Sequence, residues 1–111
     1  MEVSYGDKKL EKSCTNDRQM GKEYTQAVAK ALKLRIKSLE AAENMLELLD
    51  DLGKWHPLEG DLKGCWGASL TGNWRIRVRG VDAEELAYQW EKVEVVTVEK
   101  VYDYHEKKVM R

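Results

Sequence analysis

Residues 74–79 read Trp-Arg-Ile-Arg-Val-Arg, and this alternation constrains the fold more than any other stretch of the chain. Side chains of a β-strand point to opposite faces in turn, so Trp74, Ile76 and Val78 share one face and Arg75, Arg77 and Arg79 the other. The turn cluster Thr71-Gly72-Asn73 precedes this run, and Cys65–Leu70 lies on its far side, which predicts a hairpin. Val93–Tyr104 is rich in valine and tyrosine and reads as a final strand.

The first half has a different period. Glu2–Tyr5 is strand-like, and Asp7–Ser13 suits a brief helix broken at Thr15-Asn16-Asp17. From Lys22 onward, Tyr24, Val28, Leu32, Ile36 and Leu39 recur at spacings of three and four, which predicts one helix of about five turns with a single apolar stripe. Met45, Leu46, Leu48, Leu49 and Leu52 predict a second helix with a core-facing stripe, stopped at Gly53. Asp82–Trp90 is open: Asp82 and Glu85 have capping-box spacing, yet the segment also suits a loop. Helices followed by antiparallel strands give an α+β class.

At 111 residues the chain has the length of one domain, spanning 1–111. Its longest uncharged stretch, Gly64–Trp74, is too short to cross a bilayer, which takes about 20 residues. Glu2, Asp7, Lys8 and Lys9 leave no apolar core for a secretory signal. Cys14 and Cys65 have no metal-ligand spacing and are expected as reduced, packed thiols of a cytoplasmic protein, with no metal and no cofactor. The net charge of −1 argues against a bulk polyanion binder. The total hides an asymmetry, however. Residues 62–79 hold Lys63, Arg75, Arg77 and Arg79 and no acid, whereas residues 82–99 hold Asp82, Glu84, Glu85, Glu91, Glu94 and Glu99 against Lys92 alone. Three alternating arginines form either a solvated strand face or a phosphate-binding face, since guanidinium matches phosphate oxygens two at a time. On this reading the acidic segment faces away from any polyanion.

Two histidines stand at the borders of these elements, His56 after the helices and His105 after the last strand. Imidazole titrates near neutral pH, so such a pair suits chemistry in which one group takes a proton and another gives one. Spacing alone leaves a structural role for each open.

The run His56-Pro57-Leu58-Glu59-Gly60-Asp61-Leu62-Lys63-Gly64, then Trp66, then Gly72-Asn73-Trp74-Arg75-Ile76, then Asp103-Tyr104-His105, resembles the pattern of HigB-type toxins, or proteic killer proteins, of the RelE/ParE superfamily. The resemblance is densest over residues 55–76 and returns at 101–105. It implies N-terminal helices packed on a small curved antiparallel sheet. It also implies an mRNA endoribonuclease (mRNA interferase) acting in the ribosomal A site without a metal. The partners implied are a cognate helix-turn-helix antitoxin, the ribosome and mRNA, with DNA reached only through the antitoxin and no membrane.

Carried over to this chain, the resemblance makes His56 and His105 the acid/base pair. Asp103 is the acidic group that orients an imidazole or carries a proton, Tyr104 stacks on a base or bonds the phosphate, and Arg75 steadies developing charge. Lys63, Arg77 and Arg79 are candidates for RNA backbone contacts. Trp66 and Trp74 are expected in the core, while Trp55, beside His56, suits either core or site. Many members carry lysine where this chain has Glu59, and the segment between Trp74 and His105 is longer than in compact members. Two other readings follow: a binding toxin of the gyrase-poisoning kind, in which the histidines are dispensable, and a paralogue that only binds antitoxin.

Overall fold

The computed structural model describes residues 1–81 and 89–104. His105, the Asp82/Glu85 capping box, the acids Asp82, Glu84 and Glu85, and Glu106–Arg111 lie outside the described residues.

Strand β1 (Glu2–Tyr5) leads into three helices, α1 (Lys8–Thr15), α2 (Asp17–Glu23) and α3 (Gln26–Ala41). Each begins at a side chain that accepts a hydrogen bond from an otherwise unpaired first-turn amide: Asp7 from Leu10 N at 2.7 Å, Asn16 from Gln19 N at 3.0 Å, and Thr25 from Val28 N at 3.3 Å. The stripe Val28, Leu32, Ile36 and Leu39 is buried as the spacing requires. The helix expected to run from Lys22 is instead two. Tyr24 is extended (φ −129°, ψ 154°), Thr25 starts a new helix, and the Tyr24 ring packs edge-on against Trp74 with centroids 5.6 Å apart.

The second apolar run departs from expectation more sharply. Met45–Asp50 is a 3-10 helix. With three residues per turn, positions i and i+3 eclipse. Met45 and Leu48 therefore form one ridge and are 0% and 1% exposed, while Leu46 and Leu49 form another and are 40% and 54% exposed, with Leu52 beyond them at 78%. The run supplies two core residues, not a core stripe.

The remaining strands are β2 (His56–Pro57), β3 (Cys65–Ser69), β4 (Trp74–Gly80) and β5 (Val95–Asp103). The sheet order is β1-β5-β4-β3-β2. Pairing is antiparallel except that β1 runs parallel to β5, so the sheet is mixed where an antiparallel one was expected. A parallel neighbour needs a long crossover, and the intervening helices provide it for β1. The hairpin forms as expected, with Gly72 at φ +56° in its turn.

Helices and sheet meet over Leu32, Leu39, Met45, Trp66, Ile76, Val78, Val96 and Val98, each 1% exposed or less. Full burial of one such aliphatic side chain is worth about 1.5–3 kcal/mol. Trp66 and Trp55 are core residues, Trp66 meeting Trp90 edge-on at 5.5 Å, and Trp74 is half-buried against the core. Cys14 and Cys65 are buried free thiols. Among the described residues, no helix is long and apolar enough to cross a membrane.

Candidate functional site on the arginine-bearing sheet face

With Ile76 and Val78 turned to the core, β4 presents Arg75, Arg77 and Arg79 on the opposite face, and pairing sets what stands beside each. His56 is opposite Gly67, and Gly67 is opposite Arg77, so these three make one transverse row. Two strand spacings separate the backbones of His56 and Arg77 by about 10 Å, with only a glycine between them. A Cβ on Gly67 would lie 3.4 Å from Leu58 Cδ2 and 3.8 Å from His56 Cε1. The bare glycine is thus the floor over which both side chains lean.

Strand β2 owes its position to alternation. Trp55 is 3% exposed, which anchors the chain in the core and turns His56 outward to solvent. Pro57, which lacks an N–H, sits on the sheet's edge strand, where no partner asks for one. His56 Nδ1 lies 2.9 Å from the Lys54 carbonyl oxygen. A carbonyl only accepts, so this contact assigns the proton to Nδ1, and in the neutral ring leaves the Nε2 lone pair for other work.

The second row is Ser69, Arg75 and Tyr102. Arg75 folds back over the hairpin turn: Nη1 donates to the carbonyls of Gly72 at 3.0 Å and Trp74 at 2.9 Å. Its guanidinium carbon sits 5.9 Å from the centre of the exposed Tyr104 ring, within cation–π range. Tyr104 N donates to Asn73 O at 2.7 Å, tying the end of β5 to that turn. Asp103 is opposite Trp74 in register, on the Trp74 side of the sheet rather than the Arg75 side. Lys63 is exposed in the loop before β3, beside a cleft of about 440 Å³ whose lining includes Leu58, Glu59 and Trp90. Thus His56 and Arg77 share a row and Arg75 and Tyr104 share the neighbouring corner, while Lys63 lies in the loop before β3, its carbonyl 3.5 Å from Arg79 Nη1, and Asp103 ends β5 opposite Trp74.

Between the row of Arg77 and the third row, Cys65, Arg79 and Thr97, stands a residue that sequence reasoning missed. Glu99 Oε1 accepts from Arg77 Nε at 3.1 Å and Oε2 from Arg79 Nε at 2.9 Å, while the Cys65 thiol donates to Oε1 at 3.2 Å. Burial opposes the Glu99 charge, but the hydrogen bonds from Arg79 and Cys65 and the charges of Arg79 and Arg77 outweigh it, holding the carboxyl below its ordinary pKa. Of the acidic segment 82–99, expected to face away from any polyanion, the last residue, Glu99, lies among the arginines. At this point the register of β5 shifts: Arg77 pairs with Lys100 but Val78 with Val98, which leaves Glu99 without a residue opposite it. Alternation from the buried Val96 and Val98 turns Thr97 and Glu99 to the arginine side, and the extra residue then sets Lys100 opposite Arg77 and returns Val101 opposite Ile76. A signal was present in the spacing of Val96, Val98 and Val101, which widens from two to three across Glu99.

Among the described residues, no three His, Cys, Asp or Glu side chains converge as metal ligands. No family model matches the sequence. Over 57 residues, 51% of its own length, the chain is 30% identical to the endoribonuclease HigB of Proteus vulgaris, and it spans 62% of that protein's length, a distant and partial homology.

Proposed function

We propose that this chain is the toxin of a toxin–antitoxin pair of RelE/ParE type and that it cleaves messenger RNA on the ribosome by acid–base chemistry. The observation that carries the reading is His56: it is held outward, with Nδ1 committed to the Lys54 carbonyl, one glycine away from Arg77. The similarity to an endoribonuclease supports it.

The reaction transfers the phosphate from the 5′-oxygen to the neighbouring 2′-oxygen of the same strand. A base removes the 2′-hydroxyl proton, the 2′-oxygen bonds to phosphorus, and the 5′-oxygen leaves with a proton from an acid. The products are a cyclic phosphate and a free 5′-hydroxyl. In this reading His56 and His105 are the base and acid, with Asp103 and Tyr104 assisting proton transfer or holding a base. Arg75 faces the charge that builds on the phosphate oxygens. Lys63, Arg77 and Arg79 hold the RNA backbone. A helix-turn-helix antitoxin is the partner that restrains it.

The test is induction of the chain alone, with primer extension across several messages. Ribosome-dependent cuts and growth arrest are expected; removing an acid–base group costs about 10²–10⁴ in rate and removing a charge-stabilising donor about 10²–10³, so His56→Ala, His105→Ala and Arg75→Ala should relieve both. Arrest undiminished in all three variants refutes this mechanism. Arrest accompanied by DNA-damage signalling, with messages intact, supports a gyrase-poisoning toxin instead.

A further inference from the structure

We propose that Arg77 and Arg79 form a phosphodiester site already occupied by the protein's own Glu99, so that an RNA phosphate engages the two arginines only by displacing that carboxylate. The inference rests on the RNA reading of this sheet face and adds a competitor to it.

The geometry is that of an anion site. Two guanidinium groups from alternate positions of β4 each aim an Nε–H at a different oxygen of one carboxylate, at 3.1 and 2.9 Å. Two arginines grip two non-bridging oxygens of a phosphate in the same way. The group in place is singly charged, as a phosphodiester is, so exchange conserves charge at the site. Access is open, since the side chains of Arg77, Arg79 and Glu99 keep 18%, 37% and 24% of their exposure. The pair is partly buried, and exchange for a phosphate would keep both charge-assisted hydrogen bonds. Nor is the carboxylate needed to complete the sheet: it is the inserted residue of the β5 irregularity.

The consequence is a site biased against free RNA. When phosphate displaces Glu99, the released carboxylate gathers a counterion, and the net release that drives binding falls by about one. For single strands each unit of charge changes the slope of log K against log salt by about 0.7.

The experiment uses the full chain and a fluorescein-labelled uridine dodecamer, titrated between about 50 and 300 mM salt. Glu99→Gln should bind about five- to tenfold tighter near 0.1 M salt, with a slope steeper by about 0.7. Glu99→Asp, which keeps the charge but shortens the reach, should fall between. Glu94→Gln removes the same charge from an exposed residue and should change binding far less. The gain of Glu99→Gln should vanish in an Arg77→Ala/Arg79→Ala background. Equal affinities for Glu99→Gln and Glu94→Gln, or a gain that survives loss of both arginines, overturns the proposal. Ribosomal cleavage is a separate readout: tighter binding without cleavage keeps the displaced carboxylate and refutes the nuclease, and cleavage with unchanged binding does the reverse.

Discussion

Replacing Gly53 with alanine tests how the segment before His56 is held. Gly53 has φ +104°, outside the regions that L residues occupy easily, and forcing alanine there costs about 1–2 kcal/mol. The new Cβ would also collide with the Arg35 guanidinium. That group is the far end of a long side chain, so it moves rather than the backbone. What is lost is its hydrogen bond, Arg35 Nε to Ser69 O at 2.9 Å, half-buried. A hydrogen bond from a charged donor is worth about 1.5–3 kcal/mol, and partial exposure places this one near the lower end. The sum is about 3 kcal/mol, or a fall in Tm of about 10–20 °C for a domain of this size. Urea unfolding of the wild type, Gly53→Ala, Arg35→Met and the double variant separates the two contributions. Gly53→Ala should cost about 3 kcal/mol alone and about 1.5 kcal/mol beside Arg35→Met, because only backbone strain then remains. Equal costs in the two backgrounds would refute the collision and leave strain as the whole effect.

Two further outcomes follow from the charged and thiol groups of the sheet. Glu99 titrates below its unfolded value, so its ion pairs add stability that is full above the unfolded carboxylate pKa and lost as pH falls through the folded one. The stability advantage of the wild type over Glu99→Gln should therefore shrink between about pH 5 and pH 3, and an advantage constant with pH would count against the arginine contacts as its source. Burial pushes the Cys14 thiol up to about 12, and burial with the Glu99 hydrogen bond and charge pushes Cys65 up to about 11. At pH 8 a disulfide reagent should modify neither thiol in the native protein within the minutes it takes to modify both in guanidinium, and rapid native labelling would contradict this packing.

The parts of this molecule legible in its sequence are those where period settles the structure. The alternation at 74–79 allows one face to the core and one to solvent, and the stripe from Val28 to Leu39 fits one helix face. The leucines at 46, 49 and 52 misled because a spacing of three suits an α-helix and a 3-10 helix alike. Only the tighter winding of the second separates them from Met45 and Leu48. Strand β2 has two residues, too few to show any period. The row joining His56 to Arg77, rather than to the motif arginine Arg75, depends on the register of three strands, which no single segment encodes. Glu99 belongs to an acidic run when charge is summed along the chain, whereas alternation from Val98 sets its side chain among the arginines of the neighbouring strand.

The parallel pairing of β1 with β5 also fixes an order of events during synthesis. Glu2 pairs with Val95 and Tyr5 with Val98, so β1 finds its partner only when some ninety further residues have been made, about 93 from Glu2 to Val95. At about 5–20 residues per second, that is a wait of about 5–20 s. Through that interval the helices can form and the β3–β4 hairpin can close, but β4 has an open edge and the sheet is incomplete. Strand β5 then joins β4 and β1 together, bringing Tyr102 beside Arg75 and Glu99 beside Arg77. The arginine face is therefore assembled last, and until then its guanidinium groups stand without the carboxylate that binds them in the finished protein.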